Sequence, residues 1–457
     1  MPGGTPLRRL AHQQAADGDR VSAAAARAPA RGKGRRSAAG IVLFATLVAT
    51  VAAVLLPTLS LRPAGVLAWL AGALLWPEVA RNTRLQSILL AVIGATGIVW
   101  GLYRGIAPDW TRVLSANAVI IALLAGVSFL RLITRIKEEG GPERPGGRRS
   151  ILATLAGLHL FGAVVNLSTL FVMAHAMARD GRLDSRQVRL LTRGYSAAAF
   201  WSPFFAGMAV ALTYAPGARL GAVLSLGIPL AMVALALIFL EIAREDPGHF
   251  RGYPMDFSSL GLPAGLAVLI VVIHEIRPDL SVVAVMAGLA PSVAIGVMAI
   301  RRARPLRTVA DHVTLALPRM ANELTLFLAA GVLAAGIASA LAAGGGLAPF
   351  DHFGALQASL TLALLILAAV AGVHPVISIA AASAVLVPLD PDPALLAVTF
   401  LGAWSIGTAT SPLSAMNLSL QGAYDVPPLD FLRLNARYAV TMWLICSGAF
   451  FVYQSWH

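Results

Sequence analysis

The sequence predicts an all-α polytopic membrane protein, because it is strongly hydrophobic, carries little charge and repeats long apolar stretches along its length. Of its 457 residues, 58% are hydrophobic and 12% are charged. A soluble globule carries about a quarter charged residues, and a disordered chain needs low hydrophobicity, so both classes are excluded. In a bilayer, α-helices satisfy all of their backbone hydrogen bonds internally.

Eleven stretches have the length, about 20 residues, and the apolarity of a transmembrane helix. They comprise residues 39–57, 63–80, 85–103, 113–134, 195–215, 218–242, 258–275, 280–300, 319–342, 394–420 and 435–455. The segment in front of them, residues 1–38, holds eight basic and two acidic residues and has no hydrophobic periodicity. We therefore expect it to be a disordered basic tail in the cytoplasm.

Two more apolar segments, residues 151–178 and 354–389, are interrupted at their middles and are predicted to be re-entrant hairpins. The first carries Asn-Leu-Ser-Thr at 166–169, and the second carries Gly-Val-His-Pro at 372–375. At 28 residues, the first segment is too long for one crossing helix and too short for two. A single tilted span is the alternative for this segment.

The distribution of basic residues orients the chain, since lysine and arginine concentrate on the cytoplasmic side of membrane proteins. With the N-terminus in the cytoplasm, 29 of the 35 basic residues fall on that side and five fall outside. The sequence thus predicts a multi-pass protein with a cytoplasmic N-terminus and an outside C-terminus. Its abundant arginine, alanine and glycine indicate a GC-rich bacterial genome, and so the bacterial inner membrane.

The two halves of the chain resemble each other, with matching features in the same order. The hairpin tips at Asn166 and His374 match at an offset of 208, and the Ser-Pro pairs that begin at Ser202 and Ser411 match at 209. Several matches in order, with a slow drift in offset, indicate an internal repeat.

The repeats are predicted to cover residues 39–242 and 258–457, joined by a cytoplasmic linker at 243–257. Each contains a hairpin followed by a helix that is broken at its Ser-Pro pair, at residues 195–215 and 394–420. The first hairpin enters from inside and the second from outside, so the repeats are inverted.

Inverted repeats with interrupted helices are typical of secondary transporters, in which the substrate binds near the bilayer midplane. Half-helix N-termini present N–H groups that suit anions, and carbonyls at half-helix C-termini suit Na⁺. The sequence has no phosphate-binding loop, metal-binding histidine pair or nucleophile elbow, and no basic stripe of a nucleic-acid-binding protein. It therefore predicts a transporter, not an enzyme, that needs no cofactor beyond a coupling ion, Na⁺ or H⁺.

Residues 39–455 resemble the ion transporter superfamily, which includes divalent-anion/sodium symporters and the citrate and arsenite permeases. The runs Asn166–Thr169 and Ser411–Asn417 are similar to the family's Ser-Asn-Thr hairpin tips and Thr-Pro-Pro-Asn helix breaks. This resemblance implies eleven spans with two opposed hairpins, an elevator-like movement and a homodimer. The chain departs from the family at His374, where Ser-Asn-Thr is usual, and after Ser202, where phenylalanines replace an asparagine.

The candidate substrate- and cation-binding residues lie at the hairpin tips and helix breaks, where polar groups at membrane depth are functional candidates. They are Asn166, Ser168, Thr169, Ser202, His374, Ser378, Thr410, Ser411, Ser414 and Asn417. Their alternative, structural role is to cap helices or to bond carbonyls that a proline frees. At His374, proton coupling is a hypothesis because an imidazole titrates near neutral pH; the rival is a neutral ring that is hydrogen-bonded to a nearby carbonyl.

Together these features predict a secondary active transporter of a small anion, a carboxylate or an inorganic oxyanion, coupled to H⁺ or Na⁺. Two alternatives stay open: a membrane subunit that needs a partner protein, and an exporter of a metalloid or oxyanion. The expected partners are the substrate, the lipid bilayer and a second copy of the chain, and not a nucleic acid.

Overall fold

The computed structural model describes residues 30–456 apart from 57, 134–145, 166, 246–247, 249, 251, 254–260, 278, 302–303 and 345–349. Across these described residues, the regular structure is helical, and β-structure is limited to one isolated bridge between Arg179 and Arg182. The all-α prediction is therefore confirmed for this part of the chain.

Most helices of the first half follow one another through short connections. They are α1 (Ala30–Leu55), α2 (Arg62–Leu75), α3 (Arg81–Tyr103), α4 (Trp110–Ser115), α5 (Ala118–Val127), α6 (Arg148–Val165), α7 (Leu167–Met177), α8 (Ser185–Ser196), α9 (Ala206–Tyr214) and α10 (Leu220–Ala243). Short 3₁₀ turns follow α2, α5 and α8 at Trp76–Glu78, Ser128–Leu132 and Ala197–Phe200.

The second half is helical in the same manner. Its helices are α11 (Gly261–Ile276), α12 (Val282–Ile300), α13 (Pro305–Asp311), α14 (Ala321–Ala343), α15 (Ala355–Val370), α16 (Pro375–Leu386), α17 (Pro393–Thr410), α18 (Ala415–Tyr424) and α19 (Pro428–Trp456). A π-helical turn at His312–Ala316 and a 3₁₀ turn at Leu317–Met320 join α13 to α14, and a 3₁₀ turn at Val387–Leu389 follows α16.

Eight helical segments of the described chain are long and apolar enough to cross a membrane, which defines a multi-pass membrane protein. They are Lys33–Leu55, Arg81–Tyr103, Val113–Leu132, Leu220–Ala243, Val282–Ile300, Pro305–Ala343, Pro393–Tyr424 and Pro428–Trp456. Each coincides with a predicted span. The other three predicted spans fall on shorter helices, namely α2, the interrupted pair α8–α9, and α11.

The start of α1 differs from the prediction of a disordered tail over residues 1–38. This helix begins at Ala30, so residues 30–38 are helical, while residues 1–29 lie outside the described part of the chain. The helix of the apolar run begins within the preceding basic segment, because that segment contains arginine, lysine and alanine, which are good helix formers.

Helix contacts divide the described chain into two bundles, each built from both halves of the sequence. The first bundle comprises α1–α5 and α12–α14, in which α3 packs along α14 and α1 packs on α2 and α5. The second bundle comprises α6–α10 and α15–α19 and is centred on α17, which contacts α8, α9, α15 and α19. The bundles meet mainly where α16 packs on α14 and where α9 packs on α5.

Within the second bundle, α6 and α8 run side by side in the same direction. Gly194 faces the Leu155 side chain, and eight residues further along both segments the Ser202 hydroxyl donates to the Ala163 carbonyl. Because both helices run from the same end of the bundle, α7 and the loop after it return the chain to that end.

The same arrangement recurs in the second half of the chain. Gly402 packs on Leu362 and Gly407 packs on Ala369, so α15 and α17 also run in parallel and α16 is the returning segment. The chain therefore contains two units of the same design, each with an outgoing helix, a returning helix and an interrupted helix.

These two units run in opposite directions. Thr192, in the first part of the interrupted helix α8–α9, and Ala409, at the end of α17, both accept hydrogen bonds from the Asn435 amide. At the other end of the bundle, the Ser383 hydroxyl of α16 donates to the carbonyl of Tyr214, at the end of α9. The interrupted helices are thus antiparallel, and their hairpins point into the bundle from opposite ends.

Small residues allow the closest helix contact of the first bundle. Gly94 of α3 lies on the carbonyl of Val332, and Gly336 of α14 lies on the carbonyl of Gly94. A side chain at these positions would overlap with the backbone of the partner helix. Interfaces between membrane helices depend on such close backbone approach, because lipid tails are as apolar as the side chains they replace.

We predict that Gly336→Ala lowers the melting temperature of the purified protein in detergent, because its methyl group would overlap with Gly94; overpacking of this kind costs about 1–3 kcal/mol. Gly296→Ala in α12 is the matched control, since a methyl group there meets open space. Alanine favours a helix by about 1 kcal/mol over glycine, so the control should melt at the same or a higher temperature. Equal melting temperatures for the two variants would contradict this packing.

Candidate functional site

The first interrupted helix stops at Phe200 and resumes at Ala206, leaving residues 201–205 without helical structure. Ser202 holds this break against the first hairpin. Its hydroxyl donates to the Ala163 carbonyl at 2.5 Å and accepts from the Phe204 N–H at 3.2 Å. Ser202 is fully buried, and its hydrogen-bonding capacity is used in locking the break to the end of α6.

A histidine and a tryptophan that sequence reasoning did not connect strengthen the same contact. The Trp201 indole donates from Nε1 to Nε2 of His159 at 2.8 Å, and His159 Nδ1 lies 3.0 Å from the Gly194 carbonyl. An indole only donates and a carbonyl only accepts, so His159 is a neutral ring with its proton on Nδ1. The role of His159 in this contact is structural.

The second interrupted helix stops at Thr410 and resumes at Ala415, and four of the ten polar candidates lie at its break. Thr410 donates to the Ile406 carbonyl at 2.7 Å, which is a local helix bond. The Ser411 hydroxyl accepts from the Leu413 N–H, and the Ser414 hydroxyl caps α18 by accepting from the Asn417 N–H at 3.3 Å. These hydroxyls stabilise the break itself.

Asn417 differs from its neighbours in having an unused acceptor. Its Nδ2 donates to the carbonyls of Ser411 at 2.8 Å and of Thr408 and Ala409 at 3.2 Å. These three carbonyls orient the amide, so Oδ1 points away from them; it is buried and has no hydrogen-bond partner. A buried unpaired acceptor beside a half-helix C-terminus is suited to a cation or to a donor group of a substrate.

The second hairpin turns at residues 371–374 beside this break. Gly372 adopts a φ of +96°, which favours glycine, and an added Cβ there would lie 2.6 Å from the Leu413 side chain. His374 Nδ1 accepts from the Val376 N–H at 3.2 Å and so caps α16. Ser378, one turn later, donates to the Pro375 carbonyl at 3.2 Å.

The two interrupted units meet at Trp404 of α17, a residue that sequence reasoning did not single out. Its ring lies edge-on to His374 with 5.7 Å between the ring centroids. On its other side, a Cβ added at Gly207, in the first turn of α9, would lie 2.8 Å from the indole. Trp404 therefore contacts both the second hairpin tip and the start of α9. A side chain larger than that of glycine at position 207 would overlap with the indole.

The first hairpin tip is described in part. Asn166 and the side chain of Ser168 lie outside the described residues. Thr169 is buried, and its Oγ1 has no partner, as is the case for Oγ of Ser405 in α17. These two hydroxyls and Asn417 Oδ1 are buried polar groups that have no hydrogen-bond partner among the described residues.

The described candidate residues thus all lie in the second bundle, but in two separate groups. Ser202 belongs to the first break, and Thr410, Ser411, Ser414 and Asn417 belong to the second. Across the described residues, no group of three or more histidine, cysteine, aspartate or glutamate side chains could hold a metal ion.

A cluster of charges around the buried Arg193, which sequence reasoning missed, lies between α8, the first turns of α19 and the end of α10. Arg193 is 1% exposed and donates to Glu241 Oε2 at 2.6 Å, while Arg189 donates to Glu241 Oε1 at 2.6 Å. Arg189 also forms a two-bonded pair with Glu245. The sequence shows that Arg189 and Arg193, four residues apart in α8, share a helix face, but nothing local pairs them with Glu241.

Comparison with known proteins finds similarity among solved structures. No protein-family model matches it, and no curated protein matches it. Among solved structures, the YdaH transporter of Alcanivorax borkumensis, described as having an unusual topology, is similar at a TM-score of 0.45 and 15% identity. The alignment covers 81% of this chain and 85% of that one.

We predict that His374 stabilises the protein by capping the N-terminus of α16. His374→Asn should melt close to the unchanged protein, since asparagine is a good N-cap, whereas His374→Ala should lose about 0.5–2 kcal/mol. Thermal unfolding of both variants in detergent checks this. Equal destabilisation of the two variants would contradict the capping role.

We also predict that acid weakens the ion pair between Arg189 and Glu245. The hydrogen bond from Arg189 lowers the pKa of Glu245, so its stabilising effect is complete above the ordinary glutamate pKa and is lost as the pH falls through the lowered value. The melting temperatures of the unchanged protein and of Glu245→Gln should differ at pH 7, by the equivalent of about 1 kcal/mol or less for such an exposed pair, and converge in acid. A gap that does not change with pH would contradict this.

Proposed function

We propose that this chain is a secondary active transporter that carries a small anion, a carboxylate or an inorganic oxyanion, by alternating access. The observation that carries the proposal is the pair of antiparallel units, each with a returning hairpin and an interrupted helix, whose second break presents the buried, unpaired Oδ1 of Asn417. A helix break inside a bundle does not stabilise the fold. In secondary transporters, breaks of this kind form the binding sites for substrate and coupling ion.

The directions of the helices support re-entrant hairpins at residues 151–178 and 354–389. Since α6 runs parallel to α8, and α15 to α17, each hairpin leaves on the side where it entered. With eleven crossings and two such hairpins, 29 of the 35 basic residues lie on the cytoplasmic side. We therefore propose an inner-membrane protein with its N-terminus in the cytoplasm and its C-terminus outside.

The division into two bundles supports an elevator-like movement. All described candidate residues belong to the second bundle, and the first bundle contributes none of them. The second bundle can thus move as a carrier against the first. In this proposal the first bundle is the stationary scaffold, and it is also the part expected to pair with a second copy of the chain.

For the coupling ion we propose Na⁺ in preference to H⁺. His374 accepts an N–H at Nδ1, and a protonated ring would lose that bond and place a positive charge at a helix N-terminus, where the dipole disfavours it. Asn417 offers an unpaired oxygen in a neutral setting beside the end of α17, as a sodium site requires. The anion would accompany the cation and face the N-terminal turn of α9, whose N-cap residue Phe205 offers no side-chain bond.

The test is uptake by liposomes that contain only the purified protein. Radiolabelled sulfate, phosphate, succinate and citrate are offered with an inward Na⁺ gradient, with choline in place of Na⁺, and with a pH gradient alone. We predict Na⁺-dependent uptake of at least one of these anions. Asn417→Ala should reduce uptake about tenfold, the effect of losing one good polar contact, and Asn322→Ala in the first bundle should leave it unchanged.

The other outcomes separate the alternatives. Uptake that follows the pH gradient and ignores Na⁺ would assign H⁺ as the coupling ion. Activity in whole cells with none in liposomes would indicate a subunit that needs a partner protein. Extrusion of arsenite or another oxyanion, with no gradient-driven uptake, would indicate an exporter. A chemically altered anion would refute transport as the activity.

A further inference from the structure

Hydrogen bonds of one side chain, Asn435, connect the charge cluster to the second break. Its amide Oδ1 accepts from Arg193 Nε at 2.7 Å. Its Nδ2 donates to the Ala409 carbonyl at the end of α17 and to the Phe431 carbonyl of its own helix, both at 2.9 Å. Asn435 is fully buried, so this amide links α8, α17 and α19 in the interior of the second bundle.

Arg193 determines which way this amide faces. A guanidinium has donors and no acceptor, so the oxygen of Asn435 must face Arg193 and the NH₂ group must face Ala409. Arg193 is itself held by Glu241, by the Leu434 carbonyl and by the ring of Tyr438, whose centroid lies 4.8 Å from its Cζ.

Two asparagines therefore converge on one carbonyl. The Ala409 oxygen accepts from Asn435 Nδ2 at 2.9 Å and from Asn417 Nδ2 at 3.2 Å. A carbonyl oxygen has two lone pairs, so these two bonds satisfy it. The Ala409 oxygen is one of the three carbonyl oxygens that orient the Asn417 amide, and so it contributes to the direction in which the unpaired Asn417 Oδ1 points.

Arg193 is 1% exposed, and burying a guanidinium is a costly way to stabilise a fold, because desolvation offsets most of its attraction to Glu241. A buried charge of this kind is better explained by the geometry that it imposes. Here Arg193 orients Asn435, Asn435 holds the Ala409 carbonyl, and that carbonyl is one of the three that orient Asn417.

We propose that Asn435, oriented by Arg193, is a positioning residue that holds the end of α17 so that Asn417 presents its Oδ1 to the coupling cation. This inference rests on the proposed function. Asn435 does not itself touch the cation in this account; it acts through the Ala409 carbonyl and Asn417.

The test uses Na⁺-dependent thermal stabilisation of the full-length protein, with choline chloride as the salt control. Asn435→Asp keeps an oxygen for Arg193 but replaces the donor to Ala409 with a second oxygen. We expect it to raise the Na⁺ concentration that gives half of the maximal stabilisation about fivefold or more, the effect of one lost hydrogen bond. The melting temperature without Na⁺ is measured in parallel.

The matched control is Asn322→Asp in the first bundle. The oxygen of Asn322 accepts from the Ala80 N–H at 2.8 Å, so the same substitution leaves that bond in place, and the Na⁺ response should not change. A second variant, Arg193→Lys, keeps a charge for Glu241 but loses the Nε donor to Asn435. It should shift the Na⁺ response in the same direction, and it decides the question if Asn435→Asp does not fold.

The outcomes are distinguishable. A lower melting temperature with an unchanged half-maximal Na⁺ concentration in both variants would show a purely structural role and overturn the proposal. If the unchanged protein shows no response to Na⁺, the sodium-coupled function itself is refuted, and the positioning role falls with it.

Discussion

A helix that stops inside a membrane leaves backbone N–H and carbonyl groups with no water to bond, and each such group costs several kcal/mol if it stays unpaired. This chain stops two helices in the interior of one bundle. The side chains around each break are arranged to satisfy it: Ser202 ties the first break to α6, and Asn417 bonds three carbonyls of the second. The end of α6 bonds the first break through Ser202, and Arg193 is connected to the second break through Asn435.

Sequence patterns predicted the fold well where hydrophobic runs and helix breakers coincide. The Ser-Pro pairs at Ser202 and Ser411 mark the observed breaks, and the turn before His374 falls where a glycine and a proline flank it. Local chemistry determines such features, so they can be seen in a single sequence. The number of long spans was less accessible, because α2 is 14 residues long and its neighbours, not its hydropathy, determine whether it crosses.

What the sequence could not show is which side chains meet across the fold. The resemblance between the halves pointed to the hairpin tips, but Trp404 and Asn435 became candidates only when α9, α17 and α19 were seen to pack together. The sequence suggested that His374 either titrates or bonds a carbonyl as a neutral ring, and the observed bond is a different one, from the Val376 N–H to Nδ1. Long-range pairs such as Arg193 with Glu241 carry no local signal that separates them from loop charges.

The central claim is that the second break opens alternately to the two sides of the membrane. Its most direct test is alkylation of a cysteine placed at Leu413, which is 53% exposed at the second break, in a protein whose single, buried Cys446 is replaced by alanine. The account predicts labelling by a membrane-impermeant reagent from either side in oriented vesicles, with the favoured side changing when Na⁺ and the transported anion are added. Labelling from one side only, under every condition, would contradict it.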